Sequence, residues 1–131
     1  MKNYAIILAS GTGNRFGGDI PKQFTKIGDK SIFEQTVSIF DDTDEIDEII
    51  VVVTPNYVDY AKKLVQNGNY KKISQIVAGG EIRKESSYIG INSIRDEEAN
   101  VLIHDCARPF ISKQVIKNCI RALENHSAAG V

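Results

Sequence analysis

Two stretches of this chain are apolar without a break and without a helical period. One is Tyr4-Ala5-Ile6-Ile7-Leu8-Ala9; the other is Ile49-Ile50-Val51-Val52-Val53, led in by Glu48. A strand with one wet face alternates apolar and polar residues, whereas a strand covered on both faces does not have to. Runs this short, closed by Ser10-Gly11-Thr12-Gly13 and by Thr54-Pro55, predict central strands of a parallel sheet. The first run is too short for a secretory or transmembrane segment.

Around these runs strand and helix signals alternate. Ser31 predicts the cap of a helix whose apolar face is Ile32, Phe33, Thr36, Val37 and Phe40. Thr54 followed by Pro55 predicts the start of the next helix, with Val58, Ala61, Leu64 and Val65 as its stripe. Residues 73–77 read as a third strand, closed by Gly79-Gly80. Residues 83–94 read as a helix with Ile89, Ile91 and Ile94 turned inward, and Gly90 counts against it. Val101-Leu102-Ile103 is a fourth strand, with Asp105 just past it. Ser112 predicts the cap of a last helix that buries Val115, Ile116, Cys119, Ile120 and Leu123. Residues 14–30 have no clear period and predict a long loop, of the kind that often carries function.

Four strands alternating with four helices predict a three-layer α/β domain. Its sheet is mostly parallel and Rossmann-like, with helices on both faces and the Tyr4 and Val101 strands adjacent. Residues 128–131 read as the start of a fifth strand, so the chain is expected to be cut short. Apolar surface left open by such a cut invites association.

Net charge is −1 over 131 residues. No basic field is available to hold a nucleic-acid backbone, which argues against DNA or RNA as partner. Cys106 and Cys119 fit no zinc or redox spacing and read as reduced thiols, the usage expected of a cytoplasmic protein. No membrane partner is expected.

Open α/β sheets take ligands beyond the carboxyl ends of their strands, and three polar clusters fall there. In the first, the glycines of Gly11-Thr12-Gly13-Asn14-Arg15-Phe16-Gly17 let backbone N–H groups approach an anion. Arg15 and Lys22, the latter in Pro21-Lys22-Gln23, place two cations where they can wrap a triphosphate. The second cluster runs from Gly79-Gly80-Glu81 through Arg83 to Ser86. Gly80 can let a base lie on the backbone, and Glu81 and Ser86 can bond a base edge. Glu81 and Glu85 equally suit a helix start. The third is His104-Asp105-Cys106-Ala107-Arg108-Pro109. Asp105 can hold Mg²⁺ against phosphate oxygens or serve as a turn aspartate paired with Arg108. His104 reads as a satisfied, partly buried imidazole rather than a catalyst. No GxxxxGK[ST] is present, Gly17 falls one residue late for GxGxxG, and the second strand ends in Val53-Thr54 without the acid that grips a ribose.

Taken in order, Ala9-Ser10-Gly11-Thr12-Gly13-x-Arg15, Pro21-Lys22-Gln23, Gly79-Gly80-x-x-Arg83 with Ser86, and His104-Asp105-x-x-Arg108-Pro109 resemble the cytidylyltransferases that make CDP-methylerythritol and CDP-ribitol. The resemblance implies a nucleotidyltransferase-type fold and transfer of CMP from CTP to a polyol phosphate. Arg15 and Lys22 would be catalytic, stabilising the α-phosphate as pyrophosphate leaves. Ala9, Ser10, Gly11, Thr12 and Gly13 would hold the phosphates, and Gly80, Glu81 and Ser86 would read cytosine. Asp105 would bind Mg²⁺, and Arg108 would sit near the polyol phosphate or support the metal site. It also implies that residues 1–131 are the nucleotide-binding part of one domain whose remainder carries a dimerisation arm, so a homodimer is expected at full length. Ser10 stands where such loops often carry Ala or Gly, and Glu81 where an aspartate is common. Arg108-Pro109-Phe110-Ile111 leans slightly toward the ribitol-phosphate branch. A CTP-binding fragment without catalysis and a reductase-like dinucleotide domain are the alternatives.

Overall fold

The computed structural model describes residues 1–10 and 21–125. Four parallel strands form the central sheet: β1 (Lys2–Ala9), β4 (Glu48–Val53), β5 (Ile73–Ala78) and β6 (Ala99–Asp105), in the order β5-β4-β1-β6. Two-residue strands β2 (Lys26–Ile27) and β3 (Lys30–Ser31) pair antiparallel apart from it. Between them Gly28 sits at φ +71°, a backbone region that favours glycine. The expected long loop therefore differs from the structure over its second part. There it is a one-turn 3-10 helix (Lys22–Phe24) followed by this small hairpin.

The uninterrupted apolar runs are explained by what covers them. Ala5, Ile7 and Ala9 of β1 join Phe33, Val37 and Phe40 of α1 (Ile32–Asp41), Ala61 of α2 (Val58–Gly68), and Ile116 and Ile120 of α4 (Lys113–Asn125) in one core. Tyr4, Ile6 and Leu8 point the other way and meet Ile50 and Val52. That face is covered by α3 (Arg83–Asn92). With period-two side chains on both faces buried, no alternation can appear. Strand β6 lies at the edge and is only half-buried, with Ile103 exposed.

Local signals set the helix starts. The Ser31 hydroxyl accepts the Glu34 N–H at 3.1 Å, and the Glu34 carboxylate accepts the Ser31 N–H at 3.0 Å. That reciprocal cap typically contributes about 1 kcal/mol. Thr54 precedes a 3-10 turn, Pro55–Tyr57, without a side-chain cap, and α2 follows it. Ser112 Oγ accepts the Val115 N–H at 3.1 Å at the start of α4.

Two expectations about buried faces are corrected. In α3 the inward residues are Ser86 and Gly90, while Ile91 is exposed and Ile94 packs on the second core from beyond the helix end. The helix presses so close that a Cβ on Gly90 would lie 2.6 Å from Ile6 Cγ2. Gly90 is thus a requirement of the packing and not a mark against the helix. In α4, Ile116 and Ile120 are buried, whereas Val115, Cys119 and Leu123 are half-buried. Both cysteines are free thiols, as expected.

The amino ends of the strands carry a polar clamp. The buried Tyr4 hydroxyl lies 2.6 Å from Asp96 Oδ2 and 3.1 Å from Glu48 Oε2. Lys2 Nζ is 2.8 Å from the same Glu48 oxygen. Among the described residues, no helix is long and apolar enough to cross a membrane.

Candidate functional site

Strand β1 has β4 and β5 on one side and β6 on the other. The chain therefore reverses its direction of travel across the sheet at the β1–β6 boundary, and the loops leaving those two strands diverge. The strand ends are level, with Ala9 opposite Val53, Val53 opposite Ala78, and Leu8 opposite Asp105. Ser10, Thr54, Gly79 and Cys106 thus leave the sheet at one rim. Backbone bonds carry the ladder past its end: Gly79 N–H to Val53 O at 2.7 Å and Cys106 N–H to Leu8 O at 3.0 Å.

The second cluster is fastened to the first through buried hydroxyls. Ser10 Oγ lies 2.5 Å from Ser86 Oγ, which also accepts the Gly80 N–H at 3.1 Å. Ser86 is wholly buried and Ser10 nearly so. Here Ser86 supports the Gly80 loop from below. Gly79 makes the approach possible, since a Cβ there would sit 2.7 Å from both Ser10 Cβ and Ser86 Oγ. Glu81 is exposed beside this loop. Glu85 caps the helix start by accepting the Ile82 N–H at 3.3 Å.

The third cluster is fastened to the second by charge. Arg83 Nε donates to Asp105 Oδ1 at 3.2 Å, with both side chains partly exposed. The alternative pairing of Asp105 with Arg108 is not what the structure shows. Arg108 gives its backbone N–H to the Asp105 carbonyl at 3.1 Å, closing the turn, and its side chain is exposed. A residue three positions on in a tight turn offers its main chain more readily than its guanidinium. His104 behaves as expected: Nε2 donates to the Arg108 carbonyl at 2.9 Å, and the ring rests on Phe40. Burial, and secondarily the Asp105 charge, push the Cys106 thiol well above the usual range, so it is no nucleophile.

Of the first cluster, Ala9, Ser10 and Lys22 are described; Gly11, Thr12, Gly13 and Arg15 lie outside the described residues. Lys22 opens a 3-10 turn whose next residue, Gln23, is buried and donates its amide to the Ala9 carbonyl at 2.7 Å. Gln23 and Arg83 were visible in the sequence only as motif letters without roles. Their contacts join elements far apart in the chain, and spacing does not reveal such contacts.

No group of three or more His, Cys, Asp or Glu residues able to hold a metal occurs among the described residues. Asp105 offers one carboxylate at the rim. That donor set does not suit a metal held by protein alone, but it fits Mg²⁺ held mainly by phosphate oxygens and water.

The family model described as IspD, 2-C-methyl-D-erythritol 4-phosphate cytidylyltransferase, matches residues 3–131. A bifunctional ribulose 5-phosphate reductase/CDP-ribitol pyrophosphorylase of Haemophilus influenzae is 38% identical over 99% of this chain and 28% of its own length. A 2-C-methyl-D-erythritol 4-phosphate cytidylyltransferase of Clostridium tetani is 39% identical over 97% of this chain and 51% of its own. Among solved structures, the 4-diphosphocytidyl-2C-methyl-D-erythritol synthase of Anaerococcus prevotii superposes with a TM-score of 0.80 at 30% identity, covering 95% of this chain and 52% of that one. The chain spans about half the length, or less, of the curated relatives it matches.

Proposed function

The chain belongs to the 2-C-methyl-D-erythritol 4-phosphate cytidylyltransferase family, and from that premise we propose that it is the nucleotide-binding part of an enzyme that transfers CMP from CTP to a polyol phosphate. An oxygen of the polyol phosphate attacks the α-phosphorus, the bond from that phosphorus to the β-phosphate oxygen breaks, and pyrophosphate leaves. Ribitol 5-phosphate and 2-C-methyl-D-erythritol 4-phosphate are the two acceptors to test.

The observation that carries this reading is the joining of three rim segments at the β1–β6 boundary. Ser10 bonds Ser86 under the Gly80 loop, Gln23 bonds the end of β1, and Arg83 bonds Asp105. A loop held open by Gly79-Gly80 gives a flat base close access to main chain. Glu81 stands beside it as an acceptor for an exocyclic amino group, and Ser86 sets its height. Lys22 and Arg15 supply positive charge at the α-phosphate, and Ala9 to Gly13 supply backbone donors for the phosphates behind it. Arg108, exposed at the β6 rim, is placed for the acceptor phosphate. Asp105 would hold Mg²⁺, which when bound neutralises triphosphate charge. Arg83 must then exchange its partner for phosphate oxygens. A homodimer of the full-length protein is part of the same proposal. The dinucleotide-binding alternative finds no support in the matched family.

The test is pyrophosphate release by the full-length protein from CTP, ATP or GTP with each polyol phosphate. CTP with one acceptor should dominate. Release that ignores the base, or none with either acceptor, overturns the reading. CTP binding by this chain without turnover would instead identify a binding fragment.

A further inference from the structure

We infer that Gln23 is a positioning residue: it sets the place of Lys22 by tying the turn that bears it to the last carbonyl of β1. The inference rests on the proposed role of Lys22.

The residue is a long amide between a charged residue, Lys22, and Phe24, and such an amide is more often exposed than buried. Instead Gln23 is buried, and its Nε2 lies 2.7 Å from the Ala9 oxygen. Only an N–H can face a carbonyl, so the orientation of the amide is fixed by chemistry. The Ala9 carbonyl has two lone pairs. Its other contacts, to the Thr54 N–H at 3.3 Å and the Thr54 hydroxyl at 3.4 Å, are longer. Gln23 therefore makes the short bond at the end of the central strand, at the rim where the other two clusters are also fastened.

The rest of the turn is anchored elsewhere. Phe24 is buried among Phe33, Tyr57 and Tyr60, with ring centroids 5.4, 5.4 and 5.1 Å away. The Phe24 N–H bonds the Pro21 carbonyl at 3.0 Å, and the Ile32 N–H bonds the Thr25 carbonyl at 2.9 Å. Those contacts hold the turn to helices and to itself. The Gln23 amide ties it to the last carbonyl of β1 by a directed hydrogen bond. Because adjacent Cα atoms are about 3.8 Å apart, a shift at Gln23 is passed to Lys22 almost undiminished. Misplacement of a charge contact by about 1 Å can cost about 10²-fold in rate.

In the full-length protein, Gln23→Leu should lower kcat by about 10- to 100-fold and leave KM for CTP within about threefold. Gln23→Glu keeps the shape but regains a donor only when protonated, and burial raises its pKa. Its kcat per folded molecule, relative to the parent, should therefore rise as pH is lowered from about 9 to about 6, with the folded fraction followed in parallel by circular dichroism. Independently of activity, ¹³C-methylated lysine spectra, with Lys22 assigned through Lys22→Arg, should place Lys22 apart from exposed lysines. In Gln23→Leu its signal should merge with theirs. An unmoved Lys22 signal, or parental kcat in Gln23→Leu, overturns the inference while leaving the functional reading intact. If the parent transfers no CMP, that reading fails and the spectra alone decide the positioning.

Discussion

Replacing Gly90 by alanine pits two terms of known size against each other. In the middle of a helix the change should help, by about 1 kcal/mol. Here the new Cβ would lie 2.6 Å from Ile6 Cγ2, 3.2 Å from Val52 Cγ2 and 3.3 Å from Ile6 Cδ1. Ile6 and Val52 are fully buried on the two central strands. Both are branched at Cβ, so neither can turn aside without an unfavourable rotamer. Overpacking of this kind costs about 1–3 kcal/mol, and the shortest contact argues for the upper half of that range. The expected net effect of Gly90→Ala is a loss of about 1–2 kcal/mol. Urea unfolding followed by circular dichroism should show a lower midpoint with an unchanged slope. In an Ile6→Ala background, which removes the blocking methyl groups, the same change should become neutral or stabilising, a coupling of about 1 kcal/mol or more. A stabilised Gly90→Ala in the parent background would refute the close seating of α3 on the sheet.

Three further outcomes are expected. In the full-length protein Lys22→Ala should lower kcat by about 10²-fold or more while KM for CTP changes little; near-normal kcat would remove Lys22 from the reacting phosphate. Asp105→Asn keeps the shape and loses the charge, so the Mg²⁺ concentration for half-maximal rate should rise, and an unaltered Mg²⁺ curve would remove Asp105 from the site. The bond from Lys2, chiefly, holds the Glu48 carboxyl below its usual range; a depressed folded pKa means stability present above the unfolded value and lost as pH falls through the folded one. The stability gap between the parent and Glu48→Gln, read by urea unfolding, should therefore close as pH drops through the lower carboxylate range, and a gap independent of pH would sink that assignment.

The apolar runs of β1 and β4 were legible because burial on both faces writes itself directly into composition. The order β5-β4-β1-β6 followed in part, since right-handed crossovers bring β6 beside β1. Gly90 was misjudged because propensity speaks about an isolated helix, while the sheet beneath asked for a missing side chain. Asp105 falls at a strand end as its place after an apolar run implies, yet spacing offers only the nearby Arg108 as a pairing alternative, while the partner is Arg83 on another element. Gln23 and Ser86 illustrate the same limit. Their residue types fit a polar rim, but that each is buried and bonded to the end of β1 or the residue after it depends on tertiary contacts that local pattern does not encode. The proposed phosphate loop, with Gly11, Thr12, Gly13 and Arg15, lies outside the described residues.

The clamp formed by Lys2, Tyr4, Glu48 and Asp96 occupies the opposite end of the sheet from Asp105. Glu48 lies level with Tyr4, and Asp105 with Leu8 four residues on, so strand rise sets the two levels about 13 Å apart, more than one Debye length at physiological salt, where one is about 8 Å. In solvent that distance largely screens the clamp's charge from the proposed phosphate rim. One set of strands thus joins a charged clamp at its amino ends to the proposed nucleotide rim at its carboxyl ends.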